Sequence, residues 1–272
     1  MSTHFKEKYI GSASFYKRYL CLALPMILQN AITNLVSFLD NIMVGQLGTE
    51  PMSGVAIVNQ LIFVYNLAIF GAVSAASIFG AQYFGKGNHK GHMHSFRFKL
   101  YASLTMTAAT ILLFITKGST LISLYLTDTT GSGATETALQ YGLEYLAIMI
   151  IGLIPFAINQ SYATNIKETG QTMIPMIASF AAVGINAVLD YILIFGLGPI
   201  PKMGVVGAAL ATVIARYIEA LIVIVWAHTN RAKNRYLEGA YRGFGIPKAE
   251  FKAILIKGLP LMLNEVFWAA GM

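Results

Sequence analysis

Long apolar stretches alternate with short polar stretches along the whole chain. Six apolar runs cover Leu20–Val44, Val55–Ala81, Leu100–Thr116, Tyr141–Ala163, Ile174–Phe195 and Val205–Ala227. A seventh run begins near Gly258. A helix needs about 20 apolar residues to cross the hydrocarbon core of a bilayer. The pattern therefore predicts an all-α integral membrane protein, with a six-helix transmembrane bundle followed by the start of a seventh helix.

Polar segments rich in glycine, proline and threonine separate the apolar runs. In order they read GQLGTEP, GKGNHKGHMH, TDTTGSG, KETGQ and GLGPIPKMG. These residue types favour turns over continued helix. Each apolar run is therefore predicted to form its own helix, joined to the next by a short loop.

The composition supports a membrane location and argues against catalysis. Hydrophobic residues make up 56% of the 272 residues and charged residues 11%, and the mean hydropathy is +0.62. A water-soluble domain rarely carries so few charges. The single cysteine, Cys21, excludes an intrachain disulfide. The sequence holds no nucleophile–base pair, and His89, His92 and His94 are interpreted as part of a polar loop in preference to a metal site, so no enzyme is expected.

The distribution of lysine and arginine predicts the orientation. If the amino terminus is cytoplasmic, the inner segments hold sixteen of the nineteen basic residues, the outer loops hold Lys117 and Lys202, and Arg216 lies within span 6. Basic loops remain on the cytoplasmic side of a membrane. The net charge of +7 therefore indicates loops anchored at the anionic headgroups of the cell membrane, in preference to nucleic-acid binding.

An internal repeat predicts how the chain is divided. A shift of 235 residues aligns FYKRYLCLALPMILQN (Phe15–Asn30) with EFKAILIKGLPLMLNE (Glu250–Glu265), with five identities in sixteen positions. Parallel repeats in transporters contain an even number of spans. We therefore expect one complete repeat and the start of the next, which makes the chain a fragment of a twelve-span protein. The expected parts are a cytoplasmic amino-terminal segment 1–19, a six-span bundle 20–228, a basic cytoplasmic linker 229–257, and the start of span 7 at 258–272.

Polar residues in three predicted spans lie at a similar depth. With a rise of 1.5 Å per residue, Asp40 lies about 6–9 Å below the outer surface, Asp190 about 9–12 Å and Thr212 on the order of 10 Å. Asn186 and Asp190 are four residues apart and share one face of span 5. Charges inside a membrane are costly and mark functional sites, although Asp40 alone fits an interfacial acid equally well.

The chemistry of these side chains predicts a cation site. Carboxylate, amide and hydroxyl oxygens are ligands for hard monovalent cations. Two neighbouring carboxylates in a low dielectric also favour the retention of one proton. Both Na⁺ and H⁺ therefore stay open as the bound ion. Arg216 and Glu219, three residues apart on span 6, are expected to pair with each other.

The order of several motifs resembles a known family. LALPMILQN and SFLDNIMVGQLG in span 1 are followed by GAQYFGKGN, ALQYGLEYLAIMIIGLIPF, KETGQTMIP, NAVLDYILIFGLGPIPKMGVVGAALAT and KGLPLMLNE. This order is similar to that of multidrug and toxic compound extrusion (MATE) transporters, which belong to the MOP flippase superfamily. The resemblance covers the whole chain after the first dozen residues.

The resemblance implies a fold, an activity and a set of site residues. The expected fold has twelve spans in two six-helix bundles, and the expected activity is export of cationic or amphipathic drugs in exchange for Na⁺ or H⁺ by alternating access. Cation or proton binding is implied for Asp40, Asn186, Asp190 and Thr212. Glu265 is implied as a coupling or substrate acid of the second bundle. The implied partners are small cationic drugs, the bilayer and a missing carboxy-terminal six-span half, with no cofactor beyond the coupling ion.

Two other functions fit parts of the pattern. A flippase for lipid-linked oligosaccharides or polysaccharides, from the same superfamily, shares the architecture, but the carboxylate pair favours ion coupling. A seven-span receptor or retinal protein has about this length. Only fifteen residues remain from Gly258 onward, however, and none of them is a lysine that could carry retinal. Ion-coupled efflux is therefore the favoured interpretation.

Overall fold

A computed structural model of the protein describes residues 12–126, 132–243 and 245–270. Within these ranges the fold is helical and holds no strand. The α-helices are α1 (Ala13–Gly45), α2 (Thr49–Gly85), α3 (His89–Ser123), α4 (Ser132–Glu168), α5 (Met173–Phe195), α6 (Val205–Thr229) and α7 (Lys248–Ala270). Six of them, α1 to α6, are long and apolar enough to cross a membrane. The predicted all-α membrane fold is therefore confirmed.

Local sequence signals fix the starts of three helices. The Ser12 hydroxyl accepts a hydrogen bond from the Phe15 amide at 3.2 Å and caps α1. The Asn88 side chain accepts one from the Gly91 amide at 2.9 Å and caps α3. Each cap satisfies a backbone donor that has no partner inside the helix. Gly48 precedes α2 with φ +126°, a conformation that only glycine adopts readily, and so permits the tight turn from α1.

Three helices extend well beyond the apolar runs. α2, α3 and α4 contain 37, 35 and 37 residues. At 1.5 Å per residue each is about 50–55 Å long, whereas the hydrocarbon core of a bilayer is about 30 Å thick. The ends of these helices therefore project beyond the hydrocarbon, where polar side chains replace the apolar ones.

Five helices surround an interior space. Around it, α1 packs against α5, α5 against α6, α6 against α4, α4 against α2, and α2 against α1. α3 packs against the outside of α2 and α4, and α7 packs against α2. The apolar core between α2 and α4 includes Val58, Ile69 and Leu153, each 0% exposed. This core holds one wall of the interior space rigid.

A buried polar network joins α3 to α4 at one end of the bundle. The Lys99 ammonium, 0% exposed, donates to Glu168 and to Asn165 Oδ1. The His92 Nε2 lies 3.1 Å from Glu168 Oε2. A buried charge is tolerated only when it is paired and hydrogen-bonded, so these contacts stabilise the helix ends that project beyond the apolar runs.

The segment between α6 and α7 is folded against the bundle. It contains a short 3-10 helix, Arg235–Leu237, in which Tyr236 is 0% exposed. The Tyr236 ring packs against His92 and Phe96, with ring centroids 4.9 and 5.2 Å apart. The sequence predicted only a basic linker here. The buried aromatic residue makes it a packed layer that continues into α7, which begins at Lys248 instead of near Gly258.

Candidate functional site

Polar side chains line two adjoining cavities inside the five-helix ring. Their volumes are about 220 and 400 Å³. Both are lined by Ser37, Asp40, Asn66, Thr212 and Arg216. Of the four residues predicted for the cation site, Asp40 and Thr212 line both cavities and Asn186 lines the smaller one. Asp190 lines neither cavity and reaches the site through its contact with Asp40.

Asp190 is the most deeply buried member of the cluster. It is 1% exposed, and Asn186, one turn earlier on α5, is 5% exposed. The Asp190 carboxyl lies beside the side chains of Asn186 and Asp40, the latter from α1. Within the described residues, no side chain or backbone group donates a well-formed hydrogen bond to either Asp190 oxygen or to Oδ1 of Asp40. Buried carboxylate oxygens without donors are costly in isolation.

Thr212 and Tyr145 complete the polar surface around the two acids. The Thr212 hydroxyl donates to the Ala208 carbonyl at 3.1 Å and lies beside the Tyr145 hydroxyl, and its oxygen can accept as well as donate. The Tyr145 hydroxyl donates to Asn59 Oδ1 at 3.2 Å, and its ring stands close enough to Asp40 and Asp190 to interact electrostatically with both. Tyr145 and Asn59 were not predicted from sequence, because an aromatic residue in a span is equally typical of packing.

The arrangement fits a small cation or a proton. The predicted residues Asp40, Asn186, Asp190 and Thr212 are brought together by α1, α5 and α6. They offer carboxylate, amide and hydroxyl oxygens, the donors that hard cations prefer. Two of the carboxylate groups retain oxygens that no described donor satisfies, and a cation or a shared proton would satisfy them.

The expected ion pair between Arg216 and Glu219 is wrong. The Arg216 guanidinium instead donates to the Gly152 carbonyl at 3.4 Å and stands 5.3 Å from the centre of the Phe156 ring. Glu219 accepts a hydrogen bond from the Ser179 hydroxyl. Spacing on one helix permits a pair, but groups on the neighbouring helices α4 and α5 compete for both side chains. Arg216 is therefore a half-buried cation that lines both cavities.

The other predicted candidates lie apart from this cluster. Glu265 falls in α7, but its side chain lies outside what the structure describes. His94 contacts Glu250 at 2.8 Å and His92 contacts Glu168, whereas His89 lies at the start of α3. The described residues contain no group of three side chains that could hold a metal ion.

Comparison with protein families decides the identity of the fold. The sequence profile of the MatE family matches residues 25–192, more than half of the chain. The chain belongs to the MatE family. The predicted resemblance to MATE transporters is thereby confirmed, and the matched region of this MatE chain contains Asp40, Asn186 and Asp190.

Curated proteins from two bacteria resemble the MatE chain over most of its length. It is 29% identical over 260 residues to a probable multidrug resistance protein NorM of Thermotoga maritima, which covers 94% of the chain and 53% of the relative. It is 26% identical to a protein of the same name from Halalkalibacterium halodurans, over 92% of the chain and 53% of the relative. The MatE chain therefore spans about half the length of these relatives.

Solved structures share the fold of the MatE chain. A crystal structure of MATE in the bent conformation matches 92% of the chain with a TM-score of 0.77 and 25% identity, and the match covers 53% of that structure. The outward-facing conformation of a multidrug resistance MATE family transporter of the MOP superfamily matches with a TM-score of 0.77 and 24% identity. The helical bundle of the MatE chain thus corresponds to about half of each solved transporter.

Proposed function

We propose that this chain forms the amino-terminal half of a multidrug efflux transporter, which exports cationic or amphipathic drugs in exchange for inward Na⁺ or H⁺. The chain is a multi-pass membrane protein, and the proposed orientation places its amino terminus in the cytoplasm. The proposal extends to the remaining half, which would supply the opposite wall of the drug cavity.

One observation carries the proposal. Asp40 and Asp190 lie side by side on different helices, and both Asp190 oxygens and Oδ1 of Asp40 are buried without a described donor. A fold that only had to be stable would gain by replacing such a pair with apolar side chains. Retention of both acids, beside Asn186 and Thr212, is expected of a site that binds and releases a cation during a transport cycle.

Binding at this site would change the packing of the helices that form it. A cation or proton cancels the repulsion between Asp40 and Asp190 and draws α1 toward α5. A ligand shifts a conformational equilibrium only by the difference in its affinity for the two states. The coupling ion would therefore favour the conformation in which the two carboxyl groups are close, and a cationic drug would favour the conformation in which they are apart and unoccupied.

The central experiment neutralises each acid in the complete transporter that contains this half. In Asp40→Asn and Asp190→Asn we expect drug efflux to be lost while the amount of protein in the membrane is unchanged. Efflux is measured with a fluorescent cationic dye in cells, and Na⁺ binding is measured by titration of the purified protein. Each substitution is expected to weaken Na⁺ binding by about tenfold or more, because it removes a charged ligand.

A matched control tests whether the loss of efflux is specific to Asp40 and Asp190 or follows from the removal of any negative charge. Glu144 on α4 accepts a hydrogen bond from Gln140 at 3.1 Å and lines neither cavity. Glu144→Gln removes the same charge and is expected to leave efflux intact. Normal efflux by either Asp variant would refute the proposal.

A second measurement distinguishes the two coupling ions. A Na⁺ step at constant pH and a pH step without Na⁺ are applied to proteoliposomes that contain the complete transporter. Dye movement driven by the first step alone assigns Na⁺, and movement driven by the second alone assigns H⁺. Asp190→Asn is expected to abolish whichever response the unaltered protein gives.

A further inference from the structure

The folded segment that follows α6 encloses a pocket at one end of the bundle. Its volume is about 460 Å³, larger than either cavity near Asp40. His228 in the last turn of α6, Arg231, Glu238, Tyr241 and Arg242 line it. The pocket therefore lies at the end of a helix that is long and apolar enough to span a membrane. It shares no lining residue with the two cavities near Asp40.

The wall of this pocket is held in place by Arg97, a buried residue of α3. The Arg97 side chain is 5% exposed. Its Nε donates to the Ala240 carbonyl at 2.8 Å, and its Nη2 donates to the Gly239 carbonyl at 2.7 Å and to the Arg242 carbonyl at 3.1 Å. These bonds fix the backbone on both sides of Tyr241 to the bundle. The pocket is thus a built structure, and its loop is not a freely moving basic tail.

The rings of His228 and Tyr241 lie next to each other in the lining of the pocket. The rings of His228 and Tyr241 stack with centroids 5.9 Å apart and an interplanar angle of 13°. The His228 Nδ1 contacts the Ile224 carbonyl at 2.9 Å, so that this nitrogen carries the proton. Burial raises the pKa of Tyr241 above its usual range, so its hydroxyl remains protonated. That hydroxyl contacts the Tyr162 hydroxyl and lies 3.4 Å from His228 Nε2, which ties the ring to the bundle.

The charges in the pocket are unbalanced in favour of an anion. Arg231 and Arg242 are both exposed, and neither lies within 4.0 Å of a carboxylate in the described part of the chain. Glu238, the acid at the rim, is 3.8 Å from the Arg235 guanidinium. Two guanidinium groups therefore face the pocket without an anionic partner. Their planar arrays of donors match the oxygens of a phosphate group.

We propose that this pocket binds the phosphate group of an anionic phospholipid, with Arg231 and Arg242 as the principal ligands. The position of the pocket beside the end of the membrane-length helix α6 favours a lipid headgroup as the source of the phosphate, because basic pockets at the ends of transmembrane helices are suited to acidic headgroups. The proposal does not depend on the proposed transport activity.

The experiment measures the binding of two short-chain lipids to the purified chain in neutral detergent. Dioctanoyl phosphatidylglycerol carries a net negative charge, whereas dioctanoyl phosphatidylcholine has the same chains and no net charge. Bound lipid is counted by native mass spectrometry over a range of concentrations. We expect phosphatidylglycerol to bind at least about tenfold more tightly, because the choline group of phosphatidylcholine would bring a positive charge close to the two guanidinium groups.

Two double variants that each lose two positive charges distinguish binding in the pocket from a general attraction of anionic lipid to the positively charged protein. Arg231→Gln/Arg242→Gln is expected to lose the preference for phosphatidylglycerol. Both side chains are exposed, and the Arg242 carbonyl bound by Arg97 is unchanged, so the fold is retained. Lys248→Gln/Lys252→Gln removes two charges from the start of α7, outside the pocket, and is expected to keep the preference.

Three results would overturn the proposal. The first is equal binding of the two lipids by the unaltered chain, and the second is an equal loss of preference in the two double variants. The third is displacement of phosphatidylglycerol by soluble glycerol phosphate at the concentration at which the lipid itself binds, which would identify a site for a free phosphate compound. Arg231→Lys/Arg242→Lys keeps both positive charges but removes the planar guanidinium groups. Weaker binding of phosphatidylglycerol by this variant would support the guanidinium groups as ligands.

Discussion

Arg216 is a half-buried cation that contacts a carbonyl group and the face of an aromatic ring. Its Nη1 lies 3.4 Å from the Gly152 carbonyl, and its guanidinium carbon lies 5.3 Å from the Phe156 ring centre. Both contacts are weaker than an ion pair with a carboxylate. Arg216 also lines both cavities together with Asp40. Its charge therefore acts on any cation bound near Asp40.

Removal of the Arg216 charge is expected to strengthen cation binding. In Arg216→Gln we expect the Na⁺ dissociation constant of the purified protein to fall by roughly tenfold, the scale of repulsion between unit charges about 10 Å apart at an effective dielectric of about 20. Arg216→Lys keeps the charge and should keep the affinity. A dissociation constant unchanged in Arg216→Gln, measured by the same titration, would show that the two charges do not interact.

The candidate site could be predicted in part from single residues. Asn186 and Asp190 share a helix face because they are four residues apart, and that spacing can be found in the sequence. The proximity of Asp190 to Asp40 depends on how α1 packs against α5, which depth alone suggests but cannot determine. The contribution of Tyr145 was missed, and the expected pair of Arg216 with Glu219 was wrong, because in both cases a neighbouring helix decides the contact.

The packing of α5 against α6 depends on a glycine. A Cβ atom added at Gly207 of α6 would lie 2.6 Å from the carbonyl carbon and oxygen of Leu193 on α5. Backbone atoms cannot move aside as a flexible side chain can, so the helices would have to separate. These are the two helices that carry Asn186, Asp190 and Thr212.

Gly207→Ala is therefore expected to destabilise the protein. Overpacking of this kind costs about 1–3 kcal/mol, and we expect a lower midpoint of thermal unfolding for the purified chain in detergent. Gly184→Ala on α5 is the matched control, because a Cβ atom there meets nothing within 4 Å and alanine favours helix. Its midpoint should be equal or higher. Equal midpoints for both variants and the unaltered chain would contradict the close packing.

The existence of the helices was predictable, but their lengths were not. The length of an apolar run matches the thickness of the hydrocarbon core of the bilayer. The helix itself can be longer, because it continues where its polar end is stabilised. The pairing of Lys99 with Glu168 supplies that stabilisation for α3 and α4. Residues 66–69 positions apart in the sequence form it, and no local pattern indicates such a contact.

The internal repeat stays a prediction, although both of its copies are α-helical. The first copy lies in α1 and the second in α7, and each helix contains the proline of the repeat, Pro25 or Pro260. The chain spans about half the length of its curated relatives. A second six-span bundle that begins with α7 is the arrangement the repeat predicts.

At the scale of the whole molecule, the membrane orientation is a prediction from charge alone. It is tested with cysteine substitutions in a Cys21→Ala background, since Cys21 is exposed. Lys202→Cys lies in the exposed loop between α5 and α6, and Lys233→Cys lies in the exposed segment after α6. A membrane-impermeant maleimide added to intact cells should label position 202 and spare position 233 until the cells are permeabilised. The reverse pattern would show that the amino terminus is outside.

The attachment of the segment after α6 to the bundle limits where α7 can bend. Arg97 holds this segment at one end, and Gly258 of α7 is in close contact with Ala75 of α2. The first part of α7 is thus held against the bundle at two points. The nearest position at which α7 can bend is Pro260, where the helix lacks one backbone hydrogen bond. Any rotation of a following bundle relative to this one would pivot there.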